Sequence, residues 1–322
     1  MLKFIAQVIC VLKSKFTHSI FEFKIHDMNI QSFSIVVPNN ECINKCPFCV
    51  SRMVNSNIYP NLMDISHPTY DYNIKEYMRR MKHVADAGCH TLMLTGTSEP
   101  QQNKQFLNTF TLLHEILGKP FTNIEMQTTG MLLDDPNYLR FLRNFVGVNT
   151  MALSISAPDP DKNAAILGYP FSSGRSVDFT KVIKLMKEYD FNIRLCFNLT
   201  KYFTFENPLG FFDWCSTTLN ADQVTFRKLY VSNEKTSQGR WIEENGITID
   251  ALYKLIGALK MFPVVGKTVY GADIRNIKDM SVMFDDDCMG KSPTKDNTVK
   301  YLILRPNCKL YSSWDTPASL VF

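Results

Sequence analysis

The chain has 322 residues, 45% of them hydrophobic, enough to bury a large core either as one barrel-sized domain or as a barrel with an appendage. Its 35 basic and 31 acidic residues leave a formal charge of +4, too small and too evenly spread to support a nucleic-acid track, and the composition is that of a globular chain. Nine cysteines, an odd number with no other sign of export, argue against a disulfide framework.

The first residues combine a basic start with the short apolar stretch Phe4–Leu12. Gln7 interrupts it and Lys13 ends it without a small-residue cleavage site, so it does not read as a signal peptide, and it is too short to span a bilayer. Leu2, Ile5, Val8, Ile9 and Leu12 share one helical face, which predicts an amphipathic helix packed under the main domain. A peripheral membrane helix with Lys3, Lys13 and Lys15 facing lipid phosphates is the alternative.

Strand-like and helix-like segments then alternate, the pattern of parallel strands joined by crossover helices. Strands are predicted over Ser32–Pro38, Thr91–Gly96, Asn123–Thr129, Asn149–Ser156, Asn192–Thr200 and Gln223–Val231. Helical spacing marks Ile74–Ala87, Phe106–Leu117, Tyr138–Phe145, Val177–Tyr189 and Pro208–Leu219 between them. The periodicity alone fits an open doubly wound sheet or a barrel.

Directly after the first strand comes Cys42-Ile43-Asn44-Lys45-Cys46-Pro47-Phe48-Cys49, with three residues in the first gap and two in the second. Thiolates are preferred ligands of iron–sulfur clusters, and a loop this tight wraps one cubane corner by corner; three ligands for four irons leave one iron open. Zinc is the alternative thiolate metal. A closed zinc site, however, takes four ligands, usually as two separated pairs, and no matching Cys or His pair follows at that spacing.

The spacing, with aromatic Phe48 before the third cysteine, resembles the cluster motif of the radical S-adenosylmethionine (SAM) superfamily. The resemblance implies one 4Fe-4S cluster on Cys42, Cys46 and Cys49, whose open iron takes the amino and carboxylate groups of SAM. It implies cleavage of SAM to methionine and a 5′-deoxyadenosyl radical that abstracts hydrogen from substrate. The implied fold is α/β, a partial (β/α)6 TIM-like barrel whose strand C-terminal ends carry the chemistry. An electron donor such as flavodoxin or ferredoxin with its reductase, oxygen sensitivity and a reducing cytoplasm accompany that reading.

Gly96-Thr97-Ser98-Glu99-Pro100, after the second strand, is similar to the family's glycine-rich motif ending in Glu-Pro. There the backbone approaches the SAM amino group and presents carbonyls and one carboxylate to a cation. The family's second glycine is Thr97 here, and read alone the segment is a strand-to-helix turn with Pro100 early in a helix. On the third strand Glu125, Gln127 and Thr129 share one face, so Gln127 and Thr129 either point at substrate or cofactor or hydrogen-bond a strand end. Ser154 and Ser156 match the fourth-strand place where family members contact the ribose or carboxylate of SAM. Asn198, then Arg194, match the fifth-strand polar position, and Arg227, Lys228 and Tyr230 close the sixth. A cation at a barrel mouth holds a substrate carboxylate or phosphate; surface charge is the plainer alternative. Gln127, Arg227 and Tyr230 are the candidate catalytic residues.

The character changes beyond the barrel. A helix is predicted over Thr248–Phe262, and strands over Val265–Tyr270 and Val299–Leu304 bracket the polar loop Asp285–Gly290. The end of the chain resembles the β-hairpin of SPASM and Twitch appendages, with Cys288 near the start of that pattern, Ser313 where its next cysteine belongs and Cys308 where a turn glycine is usual. Two cysteines on one hairpin do not hold a cubane, so a single cluster is expected, with Cys288 and Cys308 as ordinary buried thiols and the appendage as a lid or substrate cradle. Cys10, Cys89, Cys196 and Cys215 sit singly on apolar segments and read the same way.

The expected organisation is therefore an N-terminal helix and lead-in over residues 1–30, the barrel over 31–235 and a helix-plus-hairpin appendage over 236–322. The expected activity is that of a radical SAM enzyme acting on a small molecule or peptide, within a range of peptides, sugars and nucleotide-like compounds. A non-catalytic barrel whose cysteines hold zinc or an inert cluster is the reading from a different class, and a non-radical SAM methyltransferase leaves the cysteine triplet unexplained.

Overall fold

A computed structural model describes residues 29–39, 41–50, 70–168, 177–231, 236–268, 270–289, 298–314 and 316–321; the expected N-terminal amphipathic helix and Gly290 lie outside them. Six parallel strands form the heart of the molecule in sequence order: β1 (Asn29–Val37), β2 (Thr91–Gly96), β3 (Asn123–Thr128), β4 (Thr150–Ile155), β5 (Asn192–Leu199) and β6 (Gln223–Lys228). The crossovers carry α1 (Tyr70–Asp86), α2 (Lys104–Ile116), α3 (Pro136–Arg140), α4 (Pro160–Leu167), α5 (Phe179–Glu188) and α6 (Pro208–Asp213). α3 and α6 each run on as a π-helical turn, through Val146 and Thr218, which completes the helical stretches expected there.

The strands alternate sharply, and the alternation assigns their faces. Leu92 and Leu94, Met151, Leu153 and Ile155, Ile193, Leu195, Phe197 and Leu199, and Val224 and Phe226 are fully buried against the helices. The residues between them, Thr95, Gln127, Ser154, Asn198 and Arg227, look into the opposite, concave side, where they border one cavity. The helix-facing side gains an aromatic cluster in which Phe197, Phe203, Phe205, Phe211 and Phe226 pack at centroid distances of 5.0–6.2 Å. Burial of each such side chain is worth roughly 1.5–3 kcal/mol, so this layer holds the strands in register while polar groups occupy the other side.

The C-terminal third joins the same sheet. After α7 (Ser237–Asn245) and α8 (Ile249–Lys260), strands β7 (Val264–Lys267), β8 (Asp273–Ile277) and β9 (Met280–Asp285) form an antiparallel meander whose last member pairs parallel to β6. β10 (Thr298–Leu304) pairs parallel to β1, and the short β11 (Leu310–Tyr311) turns back on it. The complete order is β11-β10-β1-β2-β3-β4-β5-β6-β9-β8-β7, an open sheet with eight consecutive parallel strands at its centre. β9 and β10 are its two parallel flanks and share no ladder, yet Lys300 Nζ on β10 meets Asp285 Oδ1 on β9 at 2.7 Å with both side chains buried. The curl of the partial barrel thus brings its edges to within one ion pair of each other. The β8–β9 hairpin was not legible as strand because β8 is half-exposed and polar; its turn uses Lys278 and Asp279, both in the left-handed region that a type I′ turn demands.

Candidate active site

At the C-terminal end of β1 the chain enters the cysteine loop. Cys49 N–H closes a turn onto Cys46 O at 3.2 Å, and Asn44 N–H points at Cys42 Sγ at 3.3 Å. The loop is braced from outside by the end of α4, where Lys45 N–H donates to Leu167 O at 2.8 Å, and by Gln102, whose side chain bonds Ile43 N–H and Glu41 O. Phe48 packs against Trp241 of α7 at a centroid distance of 5.6 Å. Cys42, Cys46 and Cys49 are uncrosslinked, half-buried and border the same cavity. Among the described residues no three His, Cys, Asp or Glu side chains gather closely enough to hold a single metal ion.

Glu99 sits beneath the loop, buried at the end of β2. Its Oε1 accepts from Asn44 Nδ2 at 2.8 Å; its Oε2 accepts from Thr128 Oγ1 at 2.6 Å and from Gln101 Nε2 at 2.8 Å; Thr129 N–H reaches both oxygens. Burial pushes the Glu99 carboxyl up from its ordinary value, and the Thr128, Thr129 and Gln101 donors work against that shift. Gly96 lets this corner close: a Cβ there would lie 2.8 Å from Val37 O, so only glycine allows the ends of β1 and β2 to approach so nearly.

Burial likewise raises the Cys42 and Cys46 thiols, and neighbouring Glu99 and the other cysteines of the loop push the same way. No cation among the described residues is a leading influence on either thiol, so a positive partner in the cavity would favour their thiolate forms.

The cavity measures about 250 Å³. Its wall continues over Met93 and Thr95, the β3 end with Gln127, Thr128 and Thr129, then Ser154, Asn198, Arg227, Leu229 and Tyr230, and finally Cys288, Met289, Tyr301 and Trp314 from the C-terminal third. Three buried polar atoms on this lining, Asn44 Oδ1, Ser98 Oγ and Arg227 Nε, have no hydrogen-bond partner among the described residues. Buried polar groups are nearly always satisfied, so the lining is shaped for a polar ligand. Three thiols, a clamped carboxylate and unsatisfied donors and acceptors fit an iron–sulfur cluster together with a zwitterionic cofactor.

Of the residues singled out from the sequence, the structure brings the three cysteines, Phe48, Ser98, Glu99, Gln127, Ser154, Asn198, Arg227 and Tyr230 onto one cavity. Gly96, Thr97 and Pro100 form the turn behind Ser98 and Glu99 without bordering it. Ser156 is fully buried: its N–H donates to Asn163 Oδ1 at 2.6 Å and its carbonyl accepts from Thr200 Oγ1 at 2.7 Å. Arg194 lies deeper on β5, ion-paired with Glu125 and donating from Nε to Gln223 Oε1 at 2.7 Å. Cys308 is a buried thiol at positive φ, as its turn position implies. Cys288 differs from the expectation of a core thiol: it is only half-buried and borders the cavity together with its neighbour Met289, just after β9. Sequence reading missed Asn44 and Gln101, whose one signal was their placement inside the cysteine loop and just after Glu99, and it missed Tyr301, Trp314 and Met289, which carry no motif.

A clamped carboxylate beside a three-cysteine loop at the mouth of a partial parallel barrel defines a cofactor-dependent barrel enzyme. The Radical SAM superfamily model matches residues 36–208, more than half of the chain, and the chain belongs to that superfamily. Membership implies a 4Fe-4S cluster and SAM as cofactors. Among solved structures the chain is similar to the protein described as native anSMEcpe with bound AdoMet, at 13% identity and TM-score 0.52, covering 89% of this chain and 75% of that one. Also similar are Streptococcus suis SuiB (17% identity, TM-score 0.47, 72% of this chain and 51% of that one) and the Escherichia coli coproporphyrinogen III oxidase HemN (15%, 0.47, 79% and 58%). The chain spans about half the length of SuiB, and these likenesses bear on the fold alone. No curated protein matches the chain. No helix among the described residues is long and apolar enough to cross a membrane.

Proposed function

We propose that Cys42, Cys46 and Cys49 hold the cluster and that the Ser98–Glu99 corner, Ser154 and Asn198 hold SAM against it, with Gln127, Arg227 and Tyr230 facing a peptide, sugar or nucleotide-like substrate. When bound, the pair supplies reductive cleavage of SAM and a 5′-deoxyadenosyl radical that takes hydrogen from that substrate. The observation that carries this reading is the convergence of three uncrosslinked cysteines and the Glu99 clamp on one cavity. Glu99 is fixed by donors from three chain segments, so its carboxylate is preorganised to receive an ammonium group without reorganising. Asn44 couples that carboxylate to the cysteine loop, so cofactor and cluster positions are set by one network. Phe48 against Trp241 and the apolar side chains of Met93, Leu229 and Met289 exclude water from the space between.

Residues 31–235 serve as the catalytic barrel and 236–322 as its cradle; the supporting feature is the wall formed by Cys288, Met289, Tyr301 and Trp314. A low-potential flavodoxin or ferredoxin in a reducing cytoplasm is the electron source that suits such a centre. The test is anaerobic reconstitution with iron and sulfide followed by dithionite and SAM. The expected result is about four irons per chain in a low-temperature EPR-active reduced state and formation of 5′-deoxyadenosine, both lost in Cys42→Ala. Zinc in place of iron, with no SAM binding, overturns the reading.

A further inference from the structure

The charges of the inner side chains on β3, β5, β6, β9 and β10 do not balance. Glu125 on β3 is taken by Arg194 on β5, and Asp285 on β9 is taken by Lys300 on β10, which also donates to Asp287 O at 2.6 Å. That leaves Arg227 on β6. It makes no hydrogen bond or ion pair among the described residues, and its Nε is buried without a partner, while its side chain borders the cavity. Of these five groups three are cations and two carboxylates, and the cavity's other carboxylate, Glu99, is held in its own clamp at the end of β2. Burial opposes the Arg227 charge, whereas the neighbouring Cys196, Tyr301, Asp285 and Glu125 favour it, and the net direction is toward a firmly held proton. The guanidinium is therefore a fixed, partly desolvated cation with an unused planar fork, on the wall away from the Glu99 clamp. The same lining carries aromatic and apolar side chains, Leu229, Tyr230, Tyr301, Met289 and Trp314, beside polar Asn198, which stands in register with Arg227 on β5.

We propose that the substrate is an amphipathic acid whose anionic oxygens, carboxylate or phosphate, dock on Arg227 while its apolar or aromatic body lies against Tyr301, Met289 and Trp314. This deepens the proposed function and rests on that reading of the cavity. A carboxylate or phosphate matches the guanidinium fork with two parallel hydrogen bonds and neutralises the surplus charge, which explains why a half-buried cation is kept on this wall. Glu99 faces the amino group of the cofactor on the other side, so the two ends of the cavity select opposite charges.

The test uses the full chain, reconstituted anaerobically with SAM present and also as the metal-free protein, titrated with inorganic phosphate and, in a parallel arm, with benzoate. Both forms are expected to bind one of the two probes, the arm that saturates identifying the anion class, with affinity at least tenfold weaker in Arg227→Met and partly recovered in Arg227→Lys. Affinity for SAM is expected to move less than threefold, and the melting temperature of metal-free Arg227→Met to rise, since a half-buried charge with no ion pair among the described residues has been removed. A purely structural arginine would instead lower it. In the unsubstituted protein the saturating probe is expected to protect Arg227 from phenylglyoxal, read by peptide mass spectrometry, which decides the matter even where the variant does not fold. Unchanged probe affinity in Arg227→Met, failure of both probes to bind, or a tenfold loss of SAM affinity, which would assign the cation to the cofactor carboxylate, each overturns the proposal. Loss of cluster and SAM cleavage with probe binding intact overturns the cluster reading alone.

Discussion

Asn44 Nδ2 donates to Glu99 Oε1 at 2.8 Å and to Thr129 Oγ1 at 2.9 Å, so one amide midway between the first two cysteines ties their loop to the ends of β2 and β3. Both Asn44 and Glu99 are nearly inaccessible to solvent. The cysteine loop has little regular secondary structure of its own, so its shape is imposed through this contact and through α4.

Asn44→Ala removes that tie and leaves a buried carboxylate oxygen short of a donor. Loss of one partner of a buried, charge-assisted hydrogen bond costs about 1.5–3 kcal/mol. Denaturant unfolding of the metal-free chain is expected to show that loss, and anaerobic SAM titration about a tenfold weaker affinity. Asn44→Asp, which sets a second carboxylate against Glu99, is expected to be worse on both measures.

Gly168 bounds the loop from the other side. It ends α4 in the left-handed conformation, φ +64°, and a Cβ placed on it would lie 2.9 Å from Lys45 Cβ. Gly168→Ala therefore combines a strained cap, about 1 kcal/mol, with a push on the residue next to Cys46. The expected outcome is a modest fall in melting temperature and a disproportionate fall in iron retained after reconstitution. Gly257→Ala, in open space within α8, serves as the control and is expected to leave iron content unchanged.

Much of this site was legible because its chemistry depends on local spacing. The cysteine triplet and the Gly96–Pro100 turn are contiguous, and strand parity alone puts Gln127, Ser154, Asn198 and Arg227 on the concave face. Parity fails at strand ends, which is why Ser156, one residue past β4, turns into the layer between Asn163 and Thr200 instead of the cavity. It also says nothing about depth: Arg194 shares a face with Asn198 but sits where Glu125 takes it. The contacts that close the molecule are long-range, as between Lys300 and Asp285 or Trp314 and the barrel mouth, and no periodicity encodes them.

His114 supplies a pH dependence remote from the site. Its ring is stacked between Phe110 and Phe121, and its Nε2 accepts from Phe121 N–H at 3.2 Å. Burial lowers its pKa below the ordinary 6.5. A depressed histidine is neutral in the folded chain while the unfolded chain takes up a proton near 6.5, so its contribution to stability is complete above that pH and is lost as pH falls through the folded value. Melting temperature is expected to drop on acidification from pH 7.5 to 5, and to drop less in His114→Gln, which keeps an acceptor without titrating. Equal slopes for the two proteins would remove His114 as the source.

The ion pair between Lys300 and Asp285 spans the open edge of the barrel, and its two halves are not equivalent. Asp285 stands in register with Arg227 on the neighbouring strand, so it has a second cation at hand, whereas among the described residues Lys300 has the Asp287 carbonyl and the rings of Tyr270 and Tyr301 to fall back on. Asp285→Asn therefore leaves buried Lys300 and half-buried Arg227 without their carboxylate and is expected to cost about 3–5 kcal/mol, the range for breaking one side of a buried pair. Lys300→Met leaves a carboxylate that Arg227 can claim, and is expected to cost less than half as much. That rescue has a consequence for the cavity, because an Arg227 engaged by Asp285 is no longer open to an anion. Denaturant unfolding of both variants reads the order of stabilities, and phosphate titration of Lys300→Met reads the diversion, expected as a several-fold weaker affinity. Equal losses in the two variants would show that Arg227 does not take up Asp285 once Lys300 is gone.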